Sequence, residues 1–511
     1  MTAPALPSRS ASSAPGFPLL LAILLALTAL RVTGLHTSVV DLFFDEAQYW
    51  AWSRDLAFGY FSKPPLLAWI IALSDRVCGS GEACVRLASP LFYLGTSLIS
   101  YAIARELYDR ETAFWSALAV ALLTGVSFSA RIISTDVPLL FFWALALFAW
   151  LKLLAAPDWR WTALLGVSLG LGLLAKYAMI YFALGLAAAA WLDRDARELL
   201  SRPQTWAAFA IALVILAPNI IWNVAHSFAT LRHTGDNITG SGLLFRPLDA
   251  FNFFASQFGV AGPLIFAAFL VILVHALRGH LIRQDKLLLA FAIPPLALVL
   301  ALSFFRGANA NWAAPALLTM AILVTAWWLR HGYRAWLYAS LAIGVVLQAA
   351  LLAGDASADR ISIAALGRNS DIYQRTLGWR ALGNEAAWLA HANGTPTVAA
   401  EDRAAIAALT YYLRNEPIAV VSWARGTSAG SQFDLTQPLT RSAKEPVLMI
   451  TGCPSEARLA RFYPNVKRLP NLTIWPGPKT ERRYAVFVLS GMPQRQAKVD
   501  PDPVAPLGPC D

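Results

Sequence analysis

Charge is scarce in this 511-residue sequence. Asp, Glu, Lys and Arg together make up 14% of it, against 57% hydrophobic residues, where soluble domains carry about 25% charge. That shortage excludes a soluble cytosolic enzyme and a disordered chain. Cysteine is scarce as well. Four Cys with no Cys-x-x-Cys spacing exclude a zinc module and a disulfide scaffold. Cys78 and Cys84 flank a Gly-Ser-Gly turn and could pair outside the cytoplasm, or stay as buried thiols; the spacing does not fix whether Cys453 pairs with Cys510. A basic stripe is also missing. Net charge is +10, but Arg and Lys fall singly or in small groups between apolar runs, which excludes a nucleic-acid partner. No small-x-small cleavage site follows the first apolar run, Pro18–Gly34, so it reads as an uncleaved membrane helix and not a signal peptide. Neither a solenoid repeat nor an inverted repeat of the transporter kind is present.

What the sequence does have is a series of long apolar runs. A membrane helix needs about 20 such residues. After the first, candidates are Ser89–Leu107, Ala113–Ala130, Val137–Leu154, Trp161–Ala175, Tyr177–Leu192, Thr205–Trp222, Phe251–Leu277, Leu287–Phe304, Trp312–Leu329 and Ala335–Ala353, about eleven in all. Only Lys176 separates the fifth from the sixth, and one long tilted helix is the alternative there. Cations in the short loops, Arg105, Arg110, Lys152, Arg160 and Arg194 among them, place the N-terminus in the cytoplasm. From Asp355 onward charge rises to about 20%, against about 11% before it. Short strands at Thr397–Ala400, Ile418–Ser422, Pro446–Thr451 and Tyr484–Leu489, with helices at Ala404–Arg414 and Glu456–Tyr463, give a small α/β domain. The expected architecture is an α-helical polytopic membrane protein with a C-terminal extracytoplasmic α/β domain. Its parts are a cytoplasmic tail (1–17), a membrane domain (18–354) holding a long first external loop (35–88) with interfacial helices, and a soluble domain (355–511) with a loose Pro-rich end.

The first external loop carries the most chemistry. Phe43–Trp69 reads FFDEAQYWAWSRDLAFGYFSKPPLLAW. Asp45 and Glu46 follow the first span directly, and Lys63 precedes two prolines that stiffen its backbone. A carboxylate and a lysine at a membrane surface can act as base and phosphate clamp; solvated loop charges are the plain alternative.

The pieces Asp45-Glu46-Ala47-x-Tyr49 and Tyr60-Phe61-Ser62-Lys63-Pro64-Pro65-Leu66 resemble the first external loop of the family-39 glycosyltransferases of GT-C type, which take a sugar from a polyprenyl phosphate. The wording of the loop is most similar to bacterial aminoarabinose and galacturonosyl transferases acting on lipid A or lipopolysaccharide. The resemblance implies that Asp45 is the catalytic carboxylate, with Glu46 beside it, and that Lys63 and Tyr60 meet the lipid-linked phosphate of the donor. It further implies a second acid at Asp136, in Arg131-Ile-Ile-Ser-Thr-Asp136-Val-Pro138, whose plain alternative is a helix N-cap. Lys176 is implied as a phosphate contact, with snorkelling as its alternative. The glycines before it, Gly166-x-x-x-Gly170-x-Gly172, read as close helix packing. Arg306, in a Gly- and Asn-rich turn, could aim its guanidinium at a phosphate, with a helix-end anchor as its plain alternative. His226, His233 and Asp236 share one loop and read as ordinary loop residues; metal involvement is undetermined, and a divalent ion could assist.

Asp45, Lys63, Asp136, Lys176 and Arg306 all fall on the external face in the expected topology, where random loop charges would fall on both. The activity that the resemblance implies is inverting transfer of a sugar from an undecaprenyl-type phosphate to lipid A or lipopolysaccharide, by a monomer in the bacterial inner membrane with its active site in the periplasm. Partners are membrane lipids, the lipid-linked donor and a glycolipid acceptor; the cofactor is left open between none and a divalent metal, with the lipid-linked sugar as donor substrate. A protein O-mannosyltransferase is the nearest alternative. A transporter or lipid flippase is the alternative from another class, disfavoured because its charges would lie at the bilayer midplane.

Overall fold

A computed structural model describes residues 16–232, 235, 245–363, 371–492, 503–508 and 510. His233, Asp236 and most of the Pro-rich end lie outside them. The chain divides into two compact units: one takes the chain up to Thr33, Ser89–Ile220 and Ile238–Leu351, the other Gly34–Ala88, Ile221–Asn237 and Leu352–Asp511. This division differs from the expected 18–354 and 355–511, because the first external loop is built into the same unit as the C-terminal residues.

The first unit is helical. Among the described residues six helices are long and apolar enough to cross a membrane: Phe17–Thr37, Glu82–Leu107, Asp136–Ala155, Pro203–Ala225, Arg283–Ser303 and Arg334–Ala356. Trp159–Ala175, Tyr177–Leu192 and Pro315–Arg330 are apolar but shorter. Two of the expected eleven are broken. The expected Phe251–Leu277 helix is two helices, Pro247–Val260 and Pro263–Leu277, bent by 116°. Gly262 takes a left-handed φ of 92° and Pro263 starts the next helix without needing an N–H partner. The expected Ala113–Ala130 helix stops at Ala121 and restarts at Thr124. There the buried Arg31 donates to the Ala121 carbonyl at 2.6 Å and to Gln348 Oε1 at 2.9 Å, placing a cation at a helix C-terminus. The fifth and sixth helices are separate, because Lys176 is extended (φ −160°, ψ 133°) between Trp159–Ala175 and the short Tyr177–Ile180 turn.

The glycine run packs as expected. A Cβ on Gly166 would stand 2.7 Å from the Ala208 carbonyl oxygen, and one on Gly170 would stand 2.8 Å from Ile215 Cβ. The Trp159–Ala175 and Pro203–Ala225 helices thus touch through bare backbone. Gly166→Leu is expected to cost about 1–3 kcal/mol by overpacking, read as a lower unfolding temperature in detergent; an unchanged temperature would remove this contact as the reason for the glycine.

The second unit holds a five-stranded sheet. Its strands are β1 (Thr397–Ala400), β2 (Ala419–Ser422), β3 (Val447–Thr451), β4 (Asn465–Ile474) and β5 (Arg482–Ser490), in the order β2-β1-β3-β5-β4. β1 is parallel to β2 and β3, while β5 is antiparallel to β3 and β4. β1 and β3 are buried throughout, as an apolar run between two neighbours should be. β4 was not expected. It is a largely exposed edge strand whose register shifts between Leu469 and Leu472, across Pro470, where a missing N–H costs no ladder bond. Cys78–Cys84 and Cys453–Cys510 are both disulfides, and both lie in this unit.

Candidate active site

In the second unit, the Phe44–Ser53 helix starts at the motif and packs against Arg403–Tyr412. Acids in a first helical turn are favoured by the helix dipole, and the two adjacent acids are used differently. Glu46 is buried. Its Oε2 accepts from the Phe43 N–H at 2.9 Å, and both oxygens take the Arg86 guanidinium, at 2.9 and 2.7 Å. Arg86 also donates to the Val40 and Asp41 carbonyls. Asp45, about 100° further round the helix, is 35% exposed and lies 3.2 Å from Arg403 Nη1. The Arg403 guanidinium also covers the Phe44 ring at 5.0 Å and reaches Gln48.

Lys63 is half-buried and follows a pinned turn. Its carbonyl accepts from the Tyr60 N–H. The Tyr60 carbonyl accepts from Thr230 at 2.6 Å, and the Phe61 N–H donates to Gln432 at 2.7 Å. The Tyr60 ring stacks on Trp52, and its hydroxyl bonds the Trp52 and Asp55 carbonyls and the Ala57 N–H. Burial pushes the Tyr60 hydroxyl up to about 12. The geometry thus holds Glu46 and Tyr60 inside the loop through these bonds.

Asp41 anchors the same loop. Its carboxylate accepts from the Trp379 and Arg380 N–H groups at 2.9 and 3.2 Å, at the start of the Trp379–Ala392 helix. Burial raises its pKa from 3.8 to about 6, outweighing the Arg380 N–H bond and the facing Arg380 guanidinium. A carboxyl raised on folding stabilises the fold when protonated, and that contribution is lost as pH climbs through 6. Between pH 7 and 4.5 the wild type is expected to gain about 2 kcal/mol relative to Asp41→Asn. Parallel unfolding curves for the two proteins at both pH values would refute this.

In the first unit, Asp136 opens the Asp136–Ala155 helix but does not cap it. Its Oδ1 accepts from Lys176 Nζ at 2.7 Å and its Oδ2 from Asn311 Nδ2 at 2.6 Å. The pair is nearly buried, with side chains 8% and 18% exposed, so Lys176 is held by an acid and does not snorkel. Asp136 and Asn311 sit on the wall of a cavity of about 490 Å³ that is otherwise mostly apolar, with Tyr93, Ser129 and Leu140 among its lining. That volume suits a ligand of modest size. Arg306 is half-buried just past the Arg283–Ser303 helix, its N–H bonded to the Leu302 carbonyl. Of the expected residues, the structure joins Asp136 to Lys176. Asp45 and Lys63 belong to the other unit.

Three participants were not foreseen: Arg86, Arg403 and Asn311. An Arg opening an apolar run flags Arg86. Nothing local flags Arg403 or Asn311, since their partners are distant in the chain. Among the described residues no group of three His, Cys, Asp or Glu side chains gathers as a metal-ligand set.

A family model described as dolichyl-phosphate-mannose-protein mannosyltransferase matches residues 62–222. The lipid A galacturonosyltransferase RgtD of Rhizobium johnstonii is 33% identical over 432 residues, spanning 84% of this chain and 90% of its own. The lipopolysaccharide core galacturonosyltransferase RgtA of the same organism is 30% identical over 180 residues, 35% of this chain and 36% of its own. Among solved structures, ArnT from Cupriavidus metallidurans bound to undecaprenyl phosphate is similar with a TM-score of 0.66 and 18% identity, over 95% of this chain and 99% of that one. At that identity the likeness to ArnT is one of fold.

Proposed function

The chain belongs to the family-39 glycosyltransferases of GT-C type, and from that premise we propose that it moves a sugar from an undecaprenyl-type phosphate to lipid A, with inversion at the sugar carbon. The observation that carries this reading is the Asp136–Lys176–Asn311 cluster, in which Asp136 and Asn311 line an apolar cavity and Lys176 is paired with Asp136 behind them. An ammonium kept beside an acid in apolar surroundings is costly and suits an anionic head group on a lipid tail. Likeness over most of its length to a lipid A galacturonosyltransferase supports the acceptor, and the undecaprenyl phosphate held by a protein of the same fold supports the donor.

In this mechanism the acceptor hydroxyl oxygen attacks the anomeric carbon as the bond from that carbon to the phosphate oxygen breaks. Asp45, the more exposed of the two loop acids, takes the hydroxyl proton. The leaving lipid phosphate gains negative charge, and a cation stabilises it where it develops; the candidates are Lys63 in the second unit and Lys176 and Arg306 in the first. Asp136 holds Lys176 in place. Arg86 through Glu46, and Tyr60 through its three bonds, keep the loop in shape. The reaction runs on the periplasmic face of the bacterial inner membrane, with the N-terminus in the cytoplasm and the protein acting as a monomer. Two disulfides in the second unit support an oxidising compartment.

The test is transfer from radiolabelled polyprenyl-phosphate sugars of the host to lipid A by the purified full-length protein, with and without a chelator. Label in lipid A, lost in Lys63→Ala, is the expected result. Label appearing in protein would favour O-glycosylation, and no transfer under any condition would refute the reading. A loss of label with chelator would bring a divalent ion into the mechanism.

A further inference from the structure

The second unit has a cavity of its own, of about 400 Å³, which the mechanism above leaves unused. It lies at the C-terminal end of the Phe44–Ser53 helix, against Arg403–Tyr412 and Gln432–Thr436. Its wall differs in kind from that of a lipid-tail site. The cavity of about 180 Å³ around Phe253 and Leu270 has one hydrogen-bonding side chain, Gln257. Here Trp50, Trp52 and Phe433 alternate with Arg54, Arg414 and Gln437. Flat rings set among donors and acceptors suit a saccharide, whose ring faces are apolar and whose edge is hydroxylated.

Two further observations sharpen the ligand. Arg414 is exposed, and among the described residues no carboxylate pairs with it. Its guanidinium lies 4.1 Å from the Tyr411 ring centroid and donates to the Tyr411 carbonyl. Arg54 is 56% exposed and held by Asp75 at 2.6 Å. Both guanidiniums approach the Trp50 ring, at 5.7 and 5.9 Å. A cation at the rim beside an aromatic floor asks for an anionic group on the sugar.

We propose that this cavity is a second carbohydrate subsite, which takes an anionic saccharide through Arg414, with the Trp50 and Trp52 rings among its walls. Asp45 lies on the same helix, seven residues from Trp52 and so about 10 Å along its axis. A sugar held at one end of the helix is thereby anchored a short reach from the base at the other. The inference rests on the glycosyl-transfer reading for its biological meaning. Its anion could be the phosphate of an acceptor glucosamine or the carboxylate of a uronic acid donor.

The experiment is calorimetric titration of the full-length protein in nanodiscs with glucosamine 1-phosphate and, separately, with galacturonate. Saturable binding of one of them is expected, with uncharged glucosamine binding far more weakly. Phosphosugar binding assigns the subsite to the acceptor, and galacturonate binding assigns it to the donor. Arg414→Gln should weaken binding roughly tenfold. Unfolding temperatures control for damage to the fold. If neither anionic sugar binds the wild type, or Arg414→Gln binds as well as wild type, the subsite is overturned while sugar transfer stands. If binding behaves as expected but the wild type transfers nothing, it is the glycosyl-transfer reading that fails.

Discussion

Asp45→Asn is expected to slow sugar transfer by roughly 100- to 10,000-fold, the span associated with losing a positioned general base, with little change in unfolding temperature. The second half of that expectation comes from its surroundings. Asp45 is about one-third exposed and Arg403, its ion partner among the described residues, is as exposed, so the pair contributes about 0–1 kcal/mol to stability. Glu46→Gln should do the reverse. It breaks a buried bidentate pair with Arg86 and is expected to cost about 3–5 kcal/mol, while the molecules that still fold keep most of their turnover. Transfer rate and unfolding temperature, measured on both variants, separate two neighbouring acids that sequence alone treats as equivalent. Wild-type transfer by Asp45→Asn would remove it as the base.

The second large effect is a cycle on Asp136 and Lys176. Asp136→Asn or Lys176→Met alone leaves the other charge buried and is expected to cost about 3–5 kcal/mol. Asn311 cannot compensate, since its amide reaches only Oδ2. The double variant Asp136→Asn with Lys176→Met removes both charges and should recover much of that stability. Transfer should stay lost, because the phosphate still lacks its cation. Recovery of transfer along with stability would reduce the pair to a structural one.

How much of this was legible in the sequence depended on how local the cause was. Lys176 interrupts an apolar run, and the helix breaks there because an ammonium answers Asp136 and cannot face lipid. Gly262-Pro263 was equally local but was overlooked inside an apolar stretch long enough to span. The break after Ala121 had no local sign at all: it is met by Arg31, 90 residues earlier in the chain. The same holds for the site. Asp45, Lys63 and Asp136 stand in short motifs, whereas Asn311 and Arg403 acquire their meaning only from partners 175 residues and more away. β4 was missed because an edge strand has one neighbour to satisfy and can keep the polar, Pro-containing sequence of a loop.

The joining of the first loop to the C-terminal residues also sets an order of events during synthesis. Asp41 is made 338 residues before the Trp379 N–H that it accepts from. At about 5–20 residues per second, the loop waits roughly 15–70 s for the groups that complete it, with its carboxylates and exposed tryptophans meanwhile without their final neighbours. A nascent chain in that interval is the form most open to proteases and to wrong partners. Slowing elongation between Asp41 and Trp379 should therefore lower the yield of folded protein more than slowing it after Trp379.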